Sequence, residues 1–158
     1  MQLSLHSDFA LRVLIYLGTR RDRLVTTQEI STAYNISKNH LVRVVQTLAA
    51  QRYVEIQAGR SGGLKLAREP REIRLGDVVR HAEPSLRLVE CFDRDSNTCP
   101  IAGICGLKGM LNEALMAFLD SLNRYTLVDI LERSGEKKLA SAFAAALVQL
   151  TAAGTARS

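Results

Sequence analysis

The sequence predicts a mainly α-helical protein with one small β-hairpin, arranged as a winged helix-turn-helix followed by a cysteine loop and a long pairing helix. Three observations predict it. Apolar residues recur at three- and four-residue intervals through most of the chain. A short capped helix, a tight turn and a second capped helix follow one another between Thr26 and Leu48. An alternating segment on either side of Gly59–Gly63 breaks the helical period once. With 158 residues, 47% hydrophobic and 23% charged, the chain can bury one substantial core but not two large lobes, which excludes a multidomain enzyme.

Taken in order, Ser7 is the expected cap of a first helix whose apolar face is Phe9, Ala10, Val13, Leu14 and Leu17. Thr26 with Glu29 fits a capping box for a short second helix that ends near Asn35. Ser37 caps a third helix, with Ile36 and Leu41 at the two positions of a hydrophobic staple. Leu41, Val44, Val45 and Leu48 form its buried stripe, so Asn39, Arg43, Gln46 and Thr47 are expected on the outer face. Val54 and Ile56, then Leu64 and Leu66, alternate around a Gly-Arg-Ser-Gly-Gly turn, which is a wing beside a helix-turn-helix. A short helix is expected over Ile73–His81, and a long one from Leu107 to Arg124. In the long helix Leu111, Leu115, Phe118, Leu122 and Tyr125 make a two-heptad seam. Thr126 and Asp129 open a short helix through Leu131, and after Gly135 an Ala-rich tail keeps helical spacing at Leu139, Phe143, Leu147 and Leu150, which predicts a helix over 139–152 ending in a frayed terminus. The expected divisions are the winged helix-turn-helix over 1–80, the cysteine loop over 81–106, the long helix and its successor over 107–133 and the tail over 134–158.

Charge is divided unevenly. The net +5 resolves into +6 for residues 1–80 and −1 for 81–158, which suits a nucleic-acid-binding half joined to a sensing or assembly half. Asn and Arg match adenine and guanine edges bidentately, so Asn39 and Arg43 are the expected base readers, with His40 and Gln46 behind them. Lys38, Arg60 and Lys65 are expected on phosphates, with Thr27, Ser37 and Ser61 completing the DNA-binding set. Arg60 at the wing tip can reach a minor groove. A two-fold dimer built on the long helix would match the two half-sites of an inverted-repeat operator in double-stranded DNA.

Cys91, Cys99 and Cys105 are the only cysteines, spaced C-x7-C-x5-C in one Pro- and Gly-containing loop. A structural zinc site uses closer pairs and a fourth Cys or His, and none of His6, His40 or His81 lies in the loop. Three thiolates suit an iron–sulfur cluster with an unusual fourth ligand. Zinc, a redox-reactive thiol set and buried inert cysteines remain alternatives. Nothing supplies an enzyme's machinery: there is no Gly-rich nucleotide loop and no recognisable Ser/His/Asp order. A metalloenzyme or electron carrier is the remaining reading from another class. Met1–Leu17 carries Asp8 and Arg12 and lacks a basic start or cleavage site, so it reads as an amphipathic helix of a cytoplasmic protein and not as a leader or membrane span.

The opening Met-Gln-Leu-Ser-Leu-His-Ser-Asp-Phe-Ala-Leu-Arg-Val-Leu, the Ile-Ser-Lys-Asn-His-Leu-Val-Arg-Val-Val segment, the Gly-Arg-Ser-Gly-Gly-Leu turn and the three-cysteine loop resemble the NsrR-type branch of the Rrf-type winged-helix regulators, over residues 1 to about 133. The resemblance implies a homodimeric repressor that senses nitric oxide through one 4Fe-4S cluster per subunit. Cys91, Cys99 and Cys105 would bind it, with Asp8 of the partner subunit as fourth ligand and Arg12, one turn later, beside Asp8. IscR-type members place a histidine three residues after the last cysteine, where this chain has Lys108. That difference argues against a 2Fe-2S site of their kind. A regulator of the same family that senses iron–sulfur status or oxidants through these cysteines is the alternative.

Overall fold

The computed structural model describes residues 2–93 and 95–155, with side chains through 149. Among these residues, seven α-helices and one hairpin follow in the order α1 (Leu5–Gly18), α2 (Thr27–Tyr34), α3 (Lys38–Ala50), β1 (Val54–Gln57), β2 (Gly63–Leu66), α4 (Leu75–Ala82), α5 (Gly106–Leu122), α6 (Leu127–Ser134) and α7 (Glu136–Thr155). The winged helix-turn-helix is therefore present, with the wing expected from the sequence.

α1 runs through the middle of the core. Ala10, Val13, Leu14 and Leu17 are almost fully buried, and they share one cluster with Ile30 of α2, the Leu41, Val44, Val45 and Leu48 stripe of α3, and Leu127 and Leu131 of α6. The cap of α1 is Ser4 and not Ser7: the Ser4 hydroxyl accepts from the Ser7 amide. Ser7 lies inside the first turn, 0% exposed, because its hydroxyl has a better partner in the Glu83 carboxylate, 2.6 Å away. Thr26 caps α2 through the Glu29 amide, but the reciprocal half of the box is missing. The Glu29 carboxylate instead accepts from Tyr16 Oη at 2.7 Å and from the Arg23 guanidinium. Asn35 ends α2 in the left-handed region at φ 52°, which an asparagine tolerates, and turns the chain towards α3. Ile36 and Leu41 are both buried in the main cluster, as a staple requires.

Val54 to Gln57 pairs antiparallel with Leu66 to Gly63. The wing is pinned at its base by Val25, whose backbone exchanges two hydrogen bonds with Leu64 at 3.0 and 2.8 Å. α4 begins at Leu75, two residues later than its apolar pattern suggests, because Ile73 is still extended and its carbonyl accepts from the Leu127 amide. α5 spans Gly106–Leu122, so Arg124 lies in the turn beyond it. Its seam is only partly as expected: Leu115 is buried, but the fully buried partner is Leu119, which packs with Val79 of α4. α4 and α5 approach closely at Gly76, where a Cβ would stand 2.4 Å from the Leu119 carbonyl oxygen. Asn123 fastens that crossing through the amide and carboxylate of Asp77.

The Thr126–Asp129 capping box opens α6, which continues to Ser134. The Ala-rich segment forms the whole of α7, longer than the 139–152 expected, and it is docked. Phe143 is buried against Tyr16 and Tyr34, and Arg20 donates to the Ala140 carbonyl. The Leu150 side chain and the terminus at 156–158 lie outside the described residues. Among the described residues no helix is long and apolar enough to cross a membrane.

The Glu29 carboxyl is held below its ordinary value of 4.5, chiefly by the Arg23 guanidinium. A carboxyl with a lowered folded value contributes stability in full above its unfolded value and loses it as the pH falls through the folded value. Glu29→Gln is accordingly expected to flatten the acid side of the melting-temperature profile below about pH 5 relative to the parent. The other hydrogen-bonded carboxylates are present in both proteins and cancel in the comparison.

Candidate nucleic-acid interface and cysteine loop

The outer face of α3 is open. Ser37, Lys38, Asn39, His40, Arg43 and Gln46 are all exposed, and the Ser37 hydroxyl makes no capping bond. Thr47 departs from the expectation. It is half-buried, turned towards α1, with its hydroxyl 3.0 Å from His6 Nε2. Thr27 is the first residue of α2 and half-buried. Arg60 and Ser61 are exposed at the hairpin tip, after Gly59 at φ 110°. Lys65 faces Glu55 across the hairpin with 3.3 Å between Nζ and the carboxylate, so a phosphate would have to compete with that partner.

These placements separate two kinds of residue by their expected mutant behaviour. Arg43→Ala should weaken a cognate operator by about 1–3 kcal/mol and relax its preference at one base pair. Lys38→Ala should weaken all sequences alike and lower the slope of log affinity against log salt by about one. Fluorescence anisotropy on cognate and scrambled duplexes at several salt concentrations measures both. Equal loss on both duplexes for Arg43→Ala would remove it from base reading.

The first turn of α1 touches this face from behind. Besides the His6–Thr47 contact, the Phe9 ring lies 6.3 Å from the His40 ring, and Leu5, His6, Phe9, His40, Arg43 and Val44 line a small cleft between the two helices. Asp8 sits on the same turn. It accepts from Arg12 through both oxygens, at 3.0 and 2.7 Å, and its side chain remains 39% exposed. The Arg12 guanidinium is fixed in turn over the rings of Phe9 and Tyr34.

The connection from α4 to α5 carries the cysteines. It is ordered by two carboxylates that sequence reasoning did not single out as anchors. Glu90 accepts from the Thr98 amide and hydroxyl. Asp93 accepts from Ser96 Oγ, the Asp95 amide and the Arg87 guanidinium. Hydrogen bonds from Thr98 and from Ser96 respectively hold both carboxyls below the usual carboxylate range. Cys91 lies in a 3₁₀ turn over Glu90–Phe92, and Cys105 is the residue before the first turn of α5. All three thiols are free and half-buried. Cys105 borders an open cavity of about 630 Å³ with Phe92, Ala102, Lys108 and Asn112. Among the described residues no three His, Cys, Asp or Glu side chains stand together as a metal-binding group, so the folded loop presents the thiols without closing them around a centre. As a donor set, three free thiols on one loop fit an iron–sulfur group, which soft sulfur ligands favour.

A family model described as Rrf2, iron-dependent transcriptional regulator, matches residues 3–133. The chain is 47% identical over 132 residues to the HTH-type transcriptional regulator NsrR of Bacillus licheniformis, covering 83% of this chain and 92% of that one. It is 45% identical over 133 residues to the NsrR of Bacillus subtilis, covering 84% and 91%. Among solved structures it is similar to T. potens IscR, with a TM-score of 0.69 at 22% identity over 87% of this chain and 91% of that one. The B. subtilis cysteine regulator CymR gives 0.61 at 23% over 84% and 98%. These last two likenesses are of fold.

Proposed function

The chain belongs to the Rrf2 family of transcriptional regulators, a non-enzymatic class, and we propose that it is a homodimeric repressor that holds inverted-repeat operators until nitric oxide reaches an iron–sulfur cluster of the 4Fe-4S type in its cysteine loop. The observation that carries the reading is the set of three free, half-buried thiols on one loop of a chain whose expected base readers Asn39, His40, Arg43 and Gln46 are exposed.

Cys91, Cys99 and Cys105 would hold the cluster, with Asp8 of the partner subunit as fourth ligand, and the bound group would supply iron that nitric oxide attacks. The chain's own residues connect that site to the DNA-binding face. Asp8 is on the surface and reachable, and Arg12 presents it by fixing both oxygens. His6 and Phe9, two residues before Asp8 and one after it, rest on Thr47 and His40 of α3. A change in the tether at Asp8 therefore moves the turn that supports the recognition helix. Leu107 and Met110, three residues apart on one face at the start of α5, are exposed apolar side chains, which supports pairing with a second copy and the spacing of two recognition helices. Because both half-sites must be met together, small losses of register matter: each ~1.4 kcal/mol is a factor of ten in affinity.

The test is an anaerobic nitric oxide titration followed by visible absorbance, with operator binding measured on the same samples. Loss of a broad iron–sulfur band in step with loss of DNA binding supports the reading. A colourless protein whose DNA binding ignores nitric oxide overturns it.

A further inference from the structure

Where α1 begins and where the cysteine loop begins, the chain is stitched together by one carboxylate oxygen. Glu83 follows the last residue of α4 and is the root of the loop. Its Oε2 accepts from the Ser4 amide at 3.1 Å, the Ser4 hydroxyl at 3.1 Å and the Ser7 hydroxyl at 2.6 Å. Ser4 is the N-cap of α1, and Ser7 is wholly buried next to Asp8. A negative charge before the first turn of a 14-residue helix also meets the positive end of the helix dipole. The arrangement is thus a charge-assisted clamp on the one turn that carries Asp8 and also supports α3.

A second, apolar connection runs beside it. Leu3 and Leu11 of the α1 region pack into the smaller cluster with Phe92, the neighbour of Cys91, around Leu115 and Leu119 of α5. The loop root and the loop's first cysteine turn are therefore both anchored to the same end of α1 within one subunit.

We propose that Glu83, through Ser4 and Ser7, is a positioning residue that fixes the Asp8-bearing turn of α1 to the root of the cysteine loop, so that the state of the loop is passed to the recognition helix inside each subunit. This rests on the sensing role proposed above. Without the clamp, the contacts that join the loop and α1 among the described residues are the apolar ones, which hold area but not angle. The turn then no longer follows the loop.

The experiment compares the parent, Glu83→Ala and Ser7→Ala, the last keeping the helix and removing only the shortest of the three bonds. Hydrogen exchange is measured on the cluster-free proteins. The operator dissociation constant before and after nitric oxide is measured on the loaded ones. The expected result is faster exchange of the Leu5–Ala10 amides, about tenfold or more, with Leu41–Leu48 unchanged, and a nitric oxide response cut to under about threefold. Exchange at parental rates in both variants overturns the clamp. Faster exchange with a parental nitric oxide response overturns the coupling and leaves a structural bond. A parent that shows no nitric oxide response fails the sensing reading itself, a result that the exchange data on cluster-free protein keep separate from failure of the clamp.

Discussion

Serine in place of Cys99 is expected to reduce the iron and acid-labile sulfide of anaerobically reconstituted protein to background and to make operator binding indifferent to nitric oxide. The magnitude comes from the ligand count. With only three thiols in the chain, no spare sulfur can replace a lost one, and a serine hydroxyl is a hard, protonated oxygen that soft-metal centres do not favour. Folding should be nearly untouched. Cys99 belongs to neither apolar cluster, and the bonds around it, from its amide to Asn97 and from Thr98 to Glu90, involve no sulfur. A change of stability within about 0.5 kcal/mol is therefore expected, so loss of metal can be read without the ambiguity of unfolding. Undiminished iron and sulfide in Cys99→Ser would exclude this thiol as a ligand. The same loss in Cys91→Ser and Cys105→Ser is required if all three act together.

What could be read from the sequence was whatever is written in local chemistry. The Leu41–Leu48 stripe, the Ile36 staple, the Asn35 turn and the alternating wing are each fixed by residues within a few positions of one another, and all stand where the pattern placed them. The misread positions share one cause, a partner far away in the chain. Ser7 looked like a cap because nothing nearby announced Glu83, 76 residues on. Thr47 looked like an outward polar residue because His6, its partner, lies 41 residues before it. Leu119 was absent from the α5 seam because heptad counting cannot say which of two neighbouring stripes faces α4. The cysteines were visible by spacing, but the carboxylates that shape their loop, Glu90 and Asp93, look in sequence like ordinary polar loop residues. The candidate base and phosphate readers gain exposure and position from the fold, whereas their chemistry was already legible.

The largest expected effect on stability lies outside the family match, which ends at residue 133. Phe143→Ala should cost about 3–5 kcal/mol, the range for emptying a buried aromatic site. Phe143 is 7% exposed, and its ring stands 4.7 Å from that of Tyr16 and 5.2 Å from that of Tyr34, inclined at 50° and 69°. These are geometries in which aromatic pairs attract beyond their buried area. The surroundings cannot collapse easily into the space. Tyr16 is held by Glu29 and Tyr34 by the Arg12 carbonyl, so both rings would have to break a hydrogen bond to follow. For a chain of this length the loss corresponds to roughly 10 °C in melting temperature, whereas Gln149→Ala on the exposed side of α7 should shift it little. Removal of everything after Gly135 should cost at least as much as Phe143→Ala, because among the described side chains of α7 Phe143 is the one buried in the main cluster, with Leu139 packed at its edge. A truncation as stable as the parent would show that α7 does not hold α2, and the brace behind the helix-turn-helix would then have to be α1 with α4. If the loss is as expected, the helix adds to this chain a support for Tyr34, and through Tyr34 for the Arg12–Asp8 pair, that the aligned part of the family match does not include.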